Sequence, residues 1–172
     1  KEVVGEDVVN RAMAKLLQQF AFKGAPFANT TDFLCLLRAE AGPEHDPLIT
    51  DLFEKITLVD AKATHAKATK RPDGKYEVSF EVEARKLYAD GHGKETEAPL
   101  DEPFDIGVFS AEPGKAGYTS ASVLSFDRQR IHTGKQTITV LVDRPPAFVG
   151  VDPYNKRIDR NSQDNLVPVT TE

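Results

Sequence analysis

Up to about residue 53 the apolar positions of this chain recur in pairs, three and four residues apart; from Leu58 onward they alternate with polar ones. The first rhythm belongs to helices with one buried face, the second to half-buried strands. Val8, Val9, Ala12, Met13, Leu16, Leu17 and Phe20 form one stripe behind the acidic start Gly5-Glu6-Asp7, and Lys23-Gly24 followed by Pro26 predicts a stop. A second helix is expected after Asn29-Thr30-Thr31-Asp32, any of which can cap it. It carries Phe33, Leu34, Leu36 and Leu37 and ends at Gly42-Pro43. A third, short helix reads from Asp46-Pro47, a cap followed by a first-turn proline, with Leu48, Ile49, Leu52 and Phe53 as its buried face.

The clearest strand is Lys75–Ala84, where Tyr76, Val78, Phe80 and Val82 point one way and lysine, serine and glutamates the other. Arg71-Pro72-Asp73-Gly74 predicts a hairpin from a preceding strand over Leu58–Thr69. Asp90-Gly91-His92-Gly93 is a second tight turn, leading to Lys94–Ala98. Further strands are expected over Phe104–Ser110, Ala121–Arg130 and Gln136–Val142. The fold class is therefore α+β: a three-helix segment over 1–56, then an antiparallel, immunoglobulin-like β-sandwich of six or seven strands over 57–145. Pro145-Pro146 ends the last strand. Residues 146–172 read as an irregular tail that packs in place and frays near Thr170.

The chain has 172 residues, 40% of them hydrophobic and 28% charged, with a net charge of −5. These are values of an ordinary globular protein, and the acidic balance argues against nucleic acid as a partner. A single cysteine, Cys35, excludes an internal disulfide and any multi-cysteine metal site. Its apolar neighbours Leu34 and Leu36 predict a buried, inert thiol. No apolar run approaches the ~20 residues of a membrane span. Lys1–Val4 reads as the interior of a longer chain.

Local chemistry is sparse. His45, His65, His92 and His132 form no HxH, HxxxH or HExxH, so no zinc site is written in the sequence. No GxSxG, GxxxxGK[ST] or GxGxxG occurs. Asn29-Thr30-Thr31 matches the glycosylation triplet, but capping accounts for it better. The tail is richer in oxygen ligands. Asp152, Asp159 and Asp164 are the positions at which a cation would be sought, yet the calcium-loop order is missing and Lys156 and Arg160 interrupt the negative charge. Turns and salt bridges are the expected role of that segment. No catalytic or cofactor-binding residue emerges.

The order Gly5-Glu6-Asp7-Val8-Val9-Asn10-Arg11-Ala12, Ala25–Phe27, Thr30-Thr31-Asp32-Phe33 and Asp51-Leu52-Phe53, followed by strands, resembles the end of M1-family zinc aminopeptidases. In that family the catalytic domain finishes in such helices and runs into an immunoglobulin-like sandwich. Val151-Asp152-Pro153-Tyr154-Asn155-Lys156-Arg157-Ile158-Asp159-Arg160 with Asp164-Asn165 resembles the C-terminus of a bacterial subgroup whose peptidase region is fused to ABC-type permease segments. The resemblance implies a parent that is a zinc metallopeptidase anchored in the bacterial cell membrane, with this part in a soluble compartment. It also implies that the zinc, the HExxH helix and the catalytic tyrosine lie upstream. The partners it implies are the catalytic domain of the same chain and, through the parent, a peptide substrate; the fragment itself is expected to be monomeric. The expected function is a non-catalytic module that supports the catalytic domain and shapes its cleft. The alternatives are an independent protein-binding sandwich whose edge strands capture a partner, and, third, an autonomous enzyme.

Overall fold

The computed structural model describes residues 1–171 and divides the chain into two units, Lys1–Ile56 and Thr57 onward. The first holds α1 (Glu6–Phe20), α2 (Thr30–Ala41) and, after a 3-10 turn at Pro43–His45, α3 (Asp46–Phe53). Asn29 caps α2: its side-chain oxygen accepts from the Thr31 and Asp32 amides, while Asp32 returns a bond to the Asn29 amide. Residues Ala12, Leu34, Leu37, Ala41 and Ile49 form the core of this unit.

Several local expectations change. Helix α1 stops at Phe20, where Ala21 turns extended, rather than at Lys23-Gly24. Asp46 opens α3 from within and His45 takes the cap position. Only Ile49 of the four predicted apolar residues of α3 is buried; Leu52 and Phe53 face outward, Phe53 meeting Phe33 edge-on at 6.4 Å. Cys35 is exposed, because Leu34 and Leu37 take the inward positions of α2 and leave residue 35 on the opposite side.

Among the described residues the second unit, with Ile56 leading into it, contains nine strands: β1 (Ile56–Lys70), β2 (Tyr76–Ala89), β3 (Glu95–Ala98), β4 (Asp101–Phe109), β5 (Val123–His132), β6 (Gly134–Val142), β7 (Phe148–Val151), β8 (Leu166–Pro168) and β9 (Thr170–Thr171). One sheet runs β3-β2-β1-β9, with β6 following β3 as a partner of β2; the other runs β5-β4-β7-β8. Their inner faces enclose one core, with Val78, Phe80 and Val82 from the first sheet against Phe104, Ile106 and Val108 from the second. The predicted α+β class and sandwich arrangement are thus observed. Both hairpin turns form, with Gly74 at φ 85° in the first and Asp90 accepting from the His92 and Lys94 amides in the second.

Strand β1 is longer than expected and changes phase. Val59, Ala61 and Ala63 point inward, then Ala66 and Ala68 do. The slip falls at His65, which sits at φ 53° as the extra residue of a bulge. The expected irregular tail is corrected most. Residues 148–151 and 166–168 are strands of the second sheet, and Thr170–Thr171 pairs in parallel with Lys67 and Ala68 of β1. A parallel bridge joins Val59 to Asp159. The C-terminal segment therefore belongs to both sheets, which is why it needs no hydrophobic period of its own.

Candidate functional site

The C-terminal segment carries the three acidic residues that the sequence singles out, and each is occupied locally. Asp152, at φ 44°, accepts the Lys156 amide on one carboxylate oxygen (3.0 Å) and the Arg157 amide on the other (2.8 Å). Its own amide donates to the Asp105 carbonyl at 2.8 Å. Asp159 accepts the Ala61 and Asn161 amides at 3.2 and 3.0 Å. The amide nitrogen of Asn165, oriented by its surroundings, donates to the Ala61 carbonyl and lies 3.2 Å from the Asp159 carboxylate. Asp164 accepts from the Asn161 side chain at 2.9 Å, and its carbonyl takes the Ala63 amide. Burial pushes the Asp152 and Asp159 carboxyls up, against the pull of these backbone bonds. Asp152 is held against β4 of the second sheet, and Asp159 and Asp164 against β1 of the first. Among the described residues no three Asp, Glu, His or Cys side chains converge as a ligand set. The turn-and-salt-bridge reading of the segment is what the geometry contains.

The turn at Asp152 delivers two cations to the second sheet. Arg157 pairs with Glu102, donates to the Pro103 carbonyl at 2.9 Å and lies 4.5 Å from the Phe104 ring centroid. Glu102 also takes the ammonium of buried Lys86 at 2.7 Å. Burial alone would raise the Glu102 carboxyl, but the hydrogen bonds from Lys86 and Arg157 outweigh it and hold it low. Lys156 and Arg128 flank Asp105 at 2.9 and 3.1 Å, and this carboxyl too is held low against its burial.

Beside Asp105, on the outer face of the same sheet, Phe109, Tyr118, Phe126 and Tyr154 form an aromatic cluster. The Phe126 and Tyr154 rings are 5.2 Å apart, and Phe109 meets Tyr118 and Tyr154 edge-on at 6.1 and 6.2 Å. The two tyrosine hydroxyls share a 2.6 Å hydrogen bond. Burial, then the bond to Tyr154, pushes the Tyr118 phenol up to about 12. An alkaline absorbance titration should therefore show one of the chain's four tyrosines ionising well after the ordinary range, and Tyr118→Phe should remove that late step. The neutral phenol favours the folded state, so this contribution is intact below about pH 10 and is lost as pH rises toward 12. A titration unchanged by the substitution would place the late proton elsewhere.

A charged depression lies on the first sheet where β3 gives way to β6 along β2, lined by Asp60, Lys62, Glu83, Arg85, Glu97 and Thr133. Lys62 pairs with Glu83 at 2.9 Å, and Arg85 donates twice to one Asp60 oxygen at 2.6 and 2.9 Å. Hydrogen bonding to Lys62 lowers the Glu83 carboxyl. The histidines are dispersed: His45 bonds the Ala41 carbonyl, His65 lies by Glu81, His92 is in its glycine turn and His132 lies by Asp101.

Glu102, Asp105 and the aromatic cluster went unmarked in the sequence. The available signals were Asp105 inside the apolar run Phe104–Phe109 and Gly107 within a strand, which marks a close approach. A side chain at Gly107 would stand 2.3 Å from the Phe109 ring.

No family model matches the chain, and no curated protein does. Among solved structures, a β-glucosidase from Listeria innocua in complex with isofagomine is similar at 10% identity and a TM-score of 0.30, over 67% of this chain. The chain spans 16% of that protein's length. A likeness this loose says nothing of fold or activity.

Proposed function

We propose that this chain is a non-catalytic C-terminal module of an M1-like metallopeptidase, its helices completing the catalytic domain and its sandwich supporting it. The observation that carries the reading is where apolar surface is left open. Of eleven exposed large apolar or aromatic side chains, eight lie in the first 56 residues, among them Met13, Leu17, Phe22, Phe27, Leu52 and Phe53. The sandwich, by contrast, buries its apolar residues in one core. A helical unit with that much open apolar surface fits a piece that packs against a further domain. The motif order of the helices and of the C-terminal segment supports the same parent. Zinc, peptide substrate and membrane attachment belong to that parent, and no helix among the described residues is long and apolar enough to cross a membrane.

The test compares this chain with the full gene product. The gene is expected to encode an HExxH segment upstream, and attaching that region should abolish the binding of an apolar dye to the helices. The chain alone should leave an aminoacyl-anilide intact with zinc supplied. Zinc-dependent turnover by these 172 residues alone, or a gene without HExxH, would overturn the reading.

A further inference from the structure

The outer strands of the sandwich are guarded unequally. Strands β3, β8 and β9 have four, three and two residues, and short edges offer little to pair with. β5 carries Asp127, Arg128, Arg130 and His132, and its register against β4 slips at Val108/Phe109. Strand β6 has the fewest of these protections. It pairs with β2 along nine consecutive residues without a bulge, contains no proline, and has one charged residue, Lys135. Among the described residues its other edge pairs with no strand. The side-chain amide nitrogen of Gln136, on this strand, is buried without a hydrogen-bond partner.

We infer that β6 is a homodimer edge, pairing antiparallel with β6 of a second copy about a two-fold axis at Thr139. The sequence of the strand is self-complementary in this register. Lys135 of each copy falls opposite Asp143 of the other, Thr137 opposite Leu141, and Thr139 opposite itself, all on the outer face. On the inner face Ile138 falls opposite Val140 and Gln136 opposite Val142, so the two cores become continuous. A shift by one residue would set inner against outer side chains; a shift by two would separate the charges. Lys135 and Asp143 already lie near Glu83 and Lys75 of their own chain, so the inter-copy pairs extend a ladder of alternating charge. An extended peptide of another protein would lack this matched pair. The dimer replaces the monomer expected from the sequence and does not depend on the proposed parent.

Sedimentation equilibrium of this chain should show a reversible monomer–dimer equilibrium. Lys135→Asp and Asp143→Lys should each weaken it by about tenfold, since the two-fold turns two attractive pairs repulsive at once. The double variant should recover the original affinity, which also shows that neither change merely unfolds the chain. A chain monomeric at all concentrations, a dimer indifferent to either reversal, or a double variant no better than the singles would each overturn the inference. Association through the open helical face would give the second of these results.

Discussion

Replacing Glu102 by leucine is expected to destabilise the sandwich by about 1.5–3 kcal/mol, the cost of removing a largely buried carboxylate that accepts from two cations. Lys86 is 6% exposed and its ammonium lies 2.7 Å from the Glu102 carboxylate. Arg157 is partly exposed and keeps the Pro103 carbonyl and the Phe104 ring, and the Lys86 ammonium keeps the Tyr88 ring at 5.7 Å, so each cation retains part of its surroundings. The double variant Lys86→Met/Glu102→Leu removes both buried charges and should regain most of that stability. All four tyrosines lie beyond residue 56, so tyrosine fluorescence during urea unfolding reports the sandwich without interference from the helices. A loss below about 1 kcal/mol in the single variant, or no recovery in the double, would mean that water reaches the pair and screens it. The sign of the pH dependence follows from the same contacts. The folded Glu102 carboxyl lies below its ordinary value, so its contribution is present above the unfolded glutamate value and is lost as pH falls through the folded one. Leucine at 102 should flatten that acid limb.

What could be read from the sequence depended on whether an element generates its own pattern. β2 does: Val78, Phe80 and Val82 alternate with charged and polar partners because one face meets the core and the other meets solvent. β1 conceals its alternation because the bulge at His65 exchanges its two faces halfway along. The C-terminal segment has no alternation to show. Its strands are two to four residues long, and turns anchored by Asp152 and Asp159 place them against neighbours distant in sequence. For α3 and Cys35 the residue types were apolar but the positions faced outward. A run such as Phe33–Leu37 cannot specify its own buried side when nearly every position is apolar. The ion pairs were hidden for another reason: Lys86, Glu102 and Arg157 come from three separate stretches, and only the topology brings them together.

Gly150→Ala is expected to destabilise the sandwich by about 1–3 kcal/mol and to loosen the whole C-terminal segment. Gly150 lies in β7, paired on one side with Gly107 of β4 and on the other with Leu166 of β8. A methyl group there would stand 2.6 Å from the Asn165 backbone carbonyl and 3.0 Å from a Leu166 side-chain methyl. The leucine can rotate away. The carbonyl cannot, because it accepts the Val151 amide at 2.9 Å, and the fully buried Asn165 side chain is tied to Ala61 and Asp159. Relief therefore requires moving the backbone that aligns the 158–171 stretch with β1. Hydrogen exchange locates the damage. The Ala63 amide, which donates to the Asp164 carbonyl, and the Val169 amide, which donates to Ala147, should lose protection. Phe80 and Val82, paired with β6 and not with the C-terminal segment, should keep theirs. Uniform loss across both groups would mean that the segment unfolds only with the sandwich as a whole. An unchanged urea midpoint would mean that the close approach at Gly150 can relax freely.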